Sequence, residues 1–193
     1  MNYRISDYPV ADLIMNRWSP RAMSGENISQ EILLCLFEAA RWAPSSFNNQ
    51  PWRFVYAHRG TQVWDKLFNL LVPFNQKWAQ HAAVLLVLIS RDTFEKTGKP
   101  SRTSSLDTGS AWENMALQGT AMNLVVHAME GFSYKKARHT LNVPEGYTVE
   151  AMIAIGKPAP ATILPKELQE RENLSYRKPV IDFIAEGTFS FDE

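Results

Sequence analysis

Cysteine is almost absent: the 193-residue chain has one, Cys35. It cannot form an internal disulfide, which fits a reducing compartment, and its place in a helical apolar run reads as a small core residue. Neither sign of charge dominates, with 20 basic and 20 acidic side chains. The basic excess expected of a nucleic-acid binder is therefore missing. The longest apolar run, Ala82 to Ile89, is eight residues, far short of a bilayer span. The first residues, MNYRISDYPVADLIMNRW, lack the apolar core of a signal peptide. No G-x-G-x-x-G, Walker or G-x-S-x-G pattern occurs. The four histidines, His58, His81, His127 and His139, have no metal-ligand spacing, and there is no cysteine pair. A cytoplasmic protein without metal, membrane or nucleic-acid partner is expected.

What is present is an ordinary globular composition with six tryptophans and ten phenylalanines. The length fits a single domain, residues 1–193. Pro9 to Asn16 reads as a short helix, ended by the Ser19-Pro20 step. Ser29 is a plausible N-cap for a helix carrying Ile32, Leu33, Leu36, Phe37 and Ala40 at helical spacing up to Pro44. Trp52 to Ala57 alternates as a strand, and Gln62 to Leu71 reads as a helix. Ala82 to Ile89 reads as a strand buried on both faces. A polar loop, 91 to 106, follows. Asp107 to Glu130 is the longest expected helix, apolar nearly all round. Lys135 to Leu141 and Lys178 to Glu186 read as short helices, with a strand from Val149 to Ile155 between them. Helices and strands are interspersed, so the class is α+β around one mixed or antiparallel sheet.

Two clusters remain. Arg17, Ser19 and Arg21 place two guanidiniums and a hydroxyl within five residues, a grip suited to phosphate. Arg177-Lys178 could join them from far along the chain. A solvated basic surface is the plainer alternative. The second cluster is Pro44, Ser45, Ser46, Asn48, Asn49 and Gln50, whose amides and hydroxyls could meet the edge of a heteroaromatic ring. The plainer alternative is a polar loop after a proline-terminated helix.

Taken together, "RWSPR" and, some twenty residues later, "EAARWAPSSFNNQPWRFVYA" resemble the nitroreductase family of FMN-dependent oxidoreductases. "FNQKWAQHAAVLLVLIS", "HAMEGFSYKKAR", "VEAMIAIGKP" and "RKPVIDFI" are similar to later family segments, in the family's order. The likeness runs from about residue 10 to 188. It looks nearest to the short branch of flavin reductases and nitroreductases.

The resemblance implies a sheet flanked by helices and an intertwined homodimer with FMN at the subunit interface, the segment 165–193 extending over the partner. Arg17, Ser19, Arg21 and Arg177 match positions that hold the FMN phosphate and ribityl chain, with Trp18 contributing mainly backbone. Pro44, Ser45, Ser46 and Asn48 match the partner's contribution to the flavin, in a loop whose ends Trp42 and Trp52 would anchor in the core. Asn75 matches an asparagine near the ring's polar edge, and Glu130 and Gly131 the segment beside N5. Many family members have a lysine three residues after the Asn75 equivalent; this chain has Trp78, with Lys77 one place off. Trp64, Phe68, Phe74 and Trp78 would wall a stacking slot or belong to the core. Loop 91 to 106 would gate the slot, with Arg102 a candidate substrate contact. The implied activity is hydride transfer from NADH or NADPH to FMN, then reduction of a small electron-poor acceptor (a nitroaromatic, a quinone or free flavin) by a ping-pong mechanism. The rival reading is a flavin-binding dimer with a sensor or storage role.

Overall fold

The computed structural model describes residues 4–191. Helix α1 covers Asp12–Asn16 and α2 covers Gln30–Arg41. Ser29 caps α2: its hydroxyl accepts from the N–H of Ile32 at 3.3 Å. Strand β1, Trp52–His58, is followed by α3, Gln62–Phe68, and α4, Pro73–Ala79. Helix α4 lies beyond the helix expected over Gln62 to Leu71 and has no counterpart among the expected elements. Pro73 opens it in the first turn, where a missing N–H costs nothing. Strand β2 is Val84–Arg91. Helix α5, Ser104–Ala121, leads into β3, Val125–Met129, and α6 is Tyr134–Thr140. Strand β4, Tyr147–Gly156, and the short α7, Lys166–Gln169, complete the regular elements.

The sheet has four strands in the order β1-β2-β4-β3, each pair antiparallel. β2 and β4 are central, which is why Ala82 to Ile89 is apolar without interruption. Leu85, Val87 and Ile89 face a core with Trp64, Leu67, Trp78 and Met152. Val84, Leu86 and Leu88 face a second core with Leu33, Leu36, Met115 and Ile153. Period-two alternation thus feeds two apolar layers from one strand.

The expected helix from Asp107 to Glu130 is corrected to α5 and β3. Helix α5 stops at Ala121, and Asn123 then takes the left-handed region at φ 54. Asparagine tolerates that region better than most residues, and Leu124 N–H closes the turn on Gly119 O at 2.8 Å. Leu124 and Val125, off the helical stripe, belong to the strand side of this break. Gly119 is needed because β3 folds back onto α5: a Cβ there would lie 2.4 Å from Val126 Cγ2.

The helix expected from Lys178 to Glu186 is only a 3-10 turn, Val180–Phe183. Cys35 is exposed, not core. Trp42 is 71 % exposed and so is not anchored in the core, whereas Trp52 is buried. Trp64 and Trp78 are core residues, so they cannot line an open slot; Phe74 is exposed. The loop expected over 91–106 is shortened to 92–103, because β2 includes Arg91 and α5 begins at Ser104, and it carries a bridge between Thr93 and Pro100.

Candidate functional site

The first cluster begins where α1 ends. Arg17 is extended at φ −65, ψ 123, and Pro20 keeps the chain out of the helix. Arg17 Nη1 donates to Ser19 Oγ at 3.4 Å, and its Nε lies 3.4 Å from Glu113 Oε1 on α5. Arg21 belongs to a different pair. Glu172 Oε1 accepts from the N–H groups of Arg21 and Ala22 at 2.6 and 2.8 Å, and its Oε2 is 3.9 Å from Arg21 Nη1.

Arg177 comes alongside Arg17. Both line a cavity of about 490 Å³ together with Arg4, Glu113, Tyr176 and Lys178. Arg21 is not among its walls. Arg4, which the sequence reading passed over, donates to Met15 O at 3.0 Å and Arg17 O at 2.6 Å. Burial, and after it the charges of Arg177 and Arg17, push the Arg4 guanidinium below its ordinary pKa. Like charges therefore converge here, and an anion would relieve them. Trp18 lines an adjoining cavity of about 620 Å³ with Arg4 and Asn16.

The second cluster is held in an unusual backbone. After α2, Ser45 is extended, and Phe47, Asn48 and Gln50 all have positive φ, at 52, 54 and 49. Left-handed geometry costs an ordinary L-residue about 1–2 kcal/mol, so the surroundings must enforce it. They do so at several points. Ser46 N–H donates to Asp107 Oδ2 at 3.0 Å, and Gln50 N–H to Ser45 Oγ at 3.0 Å. Asn49 Nδ2 donates to Thr93 O at 3.1 Å, while its Oδ1 accepts from Glu95 N–H at 3.0 Å. The loop is thereby tied to α5 and to loop 92–103. Pro44 and Asn48 are exposed, and Phe47 is 90 % exposed. Among the described residues no hydrogen bond or ion pair joins this loop to the Arg17–Arg21 turn. Arg102, in loop 92–103, is exposed. Asp107, buried beneath Ser46, was not singled out from the sequence; one acid in a first helical turn carries no motif.

The third cluster brings Asn75, Glu130 and Gly131 together. Leu71 and Phe132 form an antiparallel bridge. Gly131 O accepts from Val72 N–H and from Asn75 Nδ2, both at 3.0 Å. Phe132 N–H donates to Glu130 O at 2.7 Å, a three-residue turn centred on Gly131. The N–H of Gly131 has no partner among the described residues. Its lack of a side chain is required, since a Cβ would lie 2.4 Å from Asn75 Nδ2. Glu130 is exposed. Lys77 is paired with Glu167 at 2.5 Å.

His127 sits between the first and third clusters. It is buried on β3, with Nδ1 2.8 Å from Pro20 O and its ring centroid 4.6 Å from that of Trp78. Burial lowers its pKa to about 4, assisted by the charges of Arg21 and Arg17, against the pull of the Pro20 and Ser19 carbonyls. It is neutral at physiological pH, with the proton on Nδ1 facing the carbonyl. A lone histidine in an apolar stretch gave no sequence signal for this role. Among the described residues no group of three or more His, Cys, Asp or Glu side chains is placed to hold a metal. No helix there is long and apolar enough to cross a membrane.

Comparison with known proteins identifies the family. The model of the nitroreductase family matches residues 14–72 and 61–157, which spans the Arg17–Arg21 turn, the Pro44–Gln50 loop and Gly131. A solved structure described as an oxidoreductase containing FMN superposes with a TM-score of 0.94 at 44 % identity, over 100 % of this chain and 98 % of that one. A Desulfovibrio desulfuricans protein, provisionally named a nitroreductase and solved in complex with FMN, superposes with a TM-score of 0.73 at 25 % identity, over 96 % and 100 % of the two chains. An Archaeoglobus fulgidus protein, provisionally named an NADH dehydrogenase/NAD(P)H nitroreductase, is 28 % identical over 152 residues, 76 % of this chain and 83 % of its own. With sheet, signature loop and family model in agreement, the chain belongs to the nitroreductase family of oxidoreductases.

Proposed function

We propose that the chain is an FMN-dependent oxidoreductase. It takes hydride from NADH or NADPH and reduces an electron-poor small molecule, such as a nitroaromatic, a quinone or free flavin, by a ping-pong mechanism. The observation that carries this reading is the convergence of Arg4, Arg17, Arg177 and Lys178 on one cavity whose acids are two, Glu113, paired to Arg17, and Asp7, which accepts from Val180 N–H. A phosphomonoester dianion matches that excess of positive charge, and guanidinium forks match its oxygens. The unpartnered N–H of Gly131 is the other half of the fit, a fixed donor suited to a ring nitrogen. The residues present therefore fit FMN. Bound there, FMN supplies the two-electron chemistry between donor and acceptor.

The chain's own work is to bind and orient. Arg17, Ser19, Arg21 and Arg177 would hold the phosphate and ribityl chain, with Trp18 contributing backbone. Arg21 keeps its backbone position through Glu172, whatever its guanidinium contacts. Asn75, Glu130 and Gly131 would flank the ring. Pro44, Ser45, Ser46 and Asn48 would reach the flavin bound by a second copy of the chain in a homodimer. The 90 % exposure of Phe47, on a backbone held in a costly conformation, supports an interface there. In the single domain 1–193, the segment 165–193 would extend over the partner. Its exposed Ile181, Phe183, Ile184 and Phe189 support that placement.

The test is an absorption spectrum of the purified protein followed by anaerobic addition of NADH or NADPH. Flavin bands that bleach within seconds are expected. No bands after incubation with excess FMN would refute the assignment, and bands that persist with both donors would refute the reductase activity.

A further inference from the structure

Asn75 is engaged inside the protein through both ends of its amide. It is buried; its amide nitrogen donates to Gly131 O at 3.0 Å, and its amide oxygen accepts from Trp78 Nε1 at 3.2 Å. Trp78 lies one turn along α4 and is fully buried, so its N–H must be satisfied internally, and Asn75 satisfies it. The indole of Trp78 also meets the ring of His127, centroids 4.6 Å apart. His127 in turn donates from Nδ1 to Pro20 O at 2.8 Å, inside the Ser19–Arg21 turn. The contacts run without a gap from Gly131 through Asn75, Trp78 and His127 to Pro20.

We propose that Asn75, Trp78 and His127 are positioning residues that form a buried strut, fixing the free N–H of Gly131 relative to the Ser19–Arg21 turn, whose Ser19 hydroxyl accepts from Arg17 at the wall of the anion cavity. The part of this inference that concerns flavin rests on the FMN reading above; the strut itself does not. At one end the Gly131 carbonyl is held by two donors, Asn75 Nδ2 and Val72 N–H, so the peptide plane carrying it cannot rotate. The turn from Phe132 N–H to Glu130 O fixes the adjoining plane, which bears the Gly131 N–H. At the other end, proline has no N–H to anchor the turn from within, so its carbonyl is held from outside by His127. A ligand that bridges the two ends would meet donors whose separation is set in advance, and pre-set donors discriminate between charge states better than mobile ones. A hydrogen bond aimed at a ring nitrogen changes strength as that nitrogen takes up electrons. The strut therefore sets how differently oxidised and reduced flavin are bound.

Two variants test this. Trp78→Phe removes the indole donor and keeps a ring against His127. Asn75→Asp removes the donor to Gly131 O and keeps the acceptor for Trp78. First, amide 1H–15N spectra of the flavin-free protein are recorded. In Trp78→Phe the resonances of Gly131 and of Ser19 and Arg21 are expected to move together. Movement at Gly131 with Ser19 and Arg21 unchanged would overturn the strut, whether or not FMN binds. Second, affinities for oxidised and reduced FMN are measured in both variants alongside thermal midpoints. The ratio of the two affinities is expected to change about tenfold, about 30 mV for a two-electron couple. A lowered midpoint with an unchanged ratio in both variants would mean that the three residues only fill the core.

Discussion

Lowering the pH from 7.5 to 5 should destabilise the folded chain through His127. The imidazole is buried against Trp78, and burial lowers its pKa from an ordinary 6.5 to about 4. The folded pKa is the depressed one, so the unfolded chain takes up the proton first. The stabilisation is complete above about pH 6.5 and is lost as pH falls toward 4. Two and a half pKa units at about 1.4 kcal/mol each come to about 3.5 kcal/mol over the whole window. At pH 5 nearly all unfolded molecules carry the proton and few folded ones do, so about 2 kcal/mol is already gone. A domain with 5–15 kcal/mol in hand would register that loss clearly.

The assay is urea unfolding at pH 7.5 and pH 5, at one fixed protein and FMN concentration because anything bound to the native state adds to its stability. His127→Gln is the comparison, since glutamine offers an amide donor toward Pro20 O and does not titrate. The surface carboxylates lowered by partners, Glu26 by Lys157 and Glu167 by Lys77, are common to both proteins and cancel. The variant should be weaker at pH 7.5, where it loses the ring packing. Between pH 7.5 and 5 it should lose about 2 kcal/mol less than the parent. An identical loss in both proteins would refute the account of His127 as a buried neutral group.

Arg17→Ala and Arg21→Ala should each weaken FMN about ten- to a hundredfold, the equivalent of roughly 1.5–3 kcal/mol for a charged hydrogen bond; equilibrium titration by flavin fluorescence reads it, and unchanged affinity in both sinks the phosphate assignment. Gly131→Ala places a methyl 2.4 Å from Asn75 Nδ2, so the thermal midpoint should fall by the equivalent of about 1–3 kcal/mol. Ser29→Ala removes the side-chain acceptor for Ile32 N–H and should cost about 1 kcal/mol in urea unfolding, with no change in FMN affinity.

Much of the fold was legible because it is written in local chemistry. Ser29 and the spacing from Ile32 to Ala40 mark α2, and the aromatic and β-branched run from Trp52 marks β1. The central strand declared itself through unbroken apolarity, because both its faces are buried. The boundary between α5 and β3 did not. Residues 107 to 130 contain no proline, and the break rests on one asparagine adopting φ 54 and one glycine admitting Val126, a tertiary demand that periodicity does not encode. Trp42 misled for a similar reason. It closes α2 at a place where the hydrophobic pattern is satisfied by Ala40 and Ala43, leaving its indole outside with Nε1 on Glu38 at 2.9 Å.

The site divides along the same line. Arg17, Ser19 and Arg21, and the run Pro44 to Gln50, stand out because each is contiguous, and a polar cluster between apolar elements asks for a reason. The residues that hold these clusters in place are single and distant. Asp107 supports Ser46 from 61 residues away, His127 supports Pro20 from 107, and Glu172 holds the N–H of Arg21 from 151. Each is one polar side chain whose environment exists only after β3, α5 and the late loop have assembled. Contiguous residues can advertise which ligand chemistry a chain offers. The geometry that makes the offer specific comes from isolated groups whose neighbours in sequence say nothing about their neighbours in space.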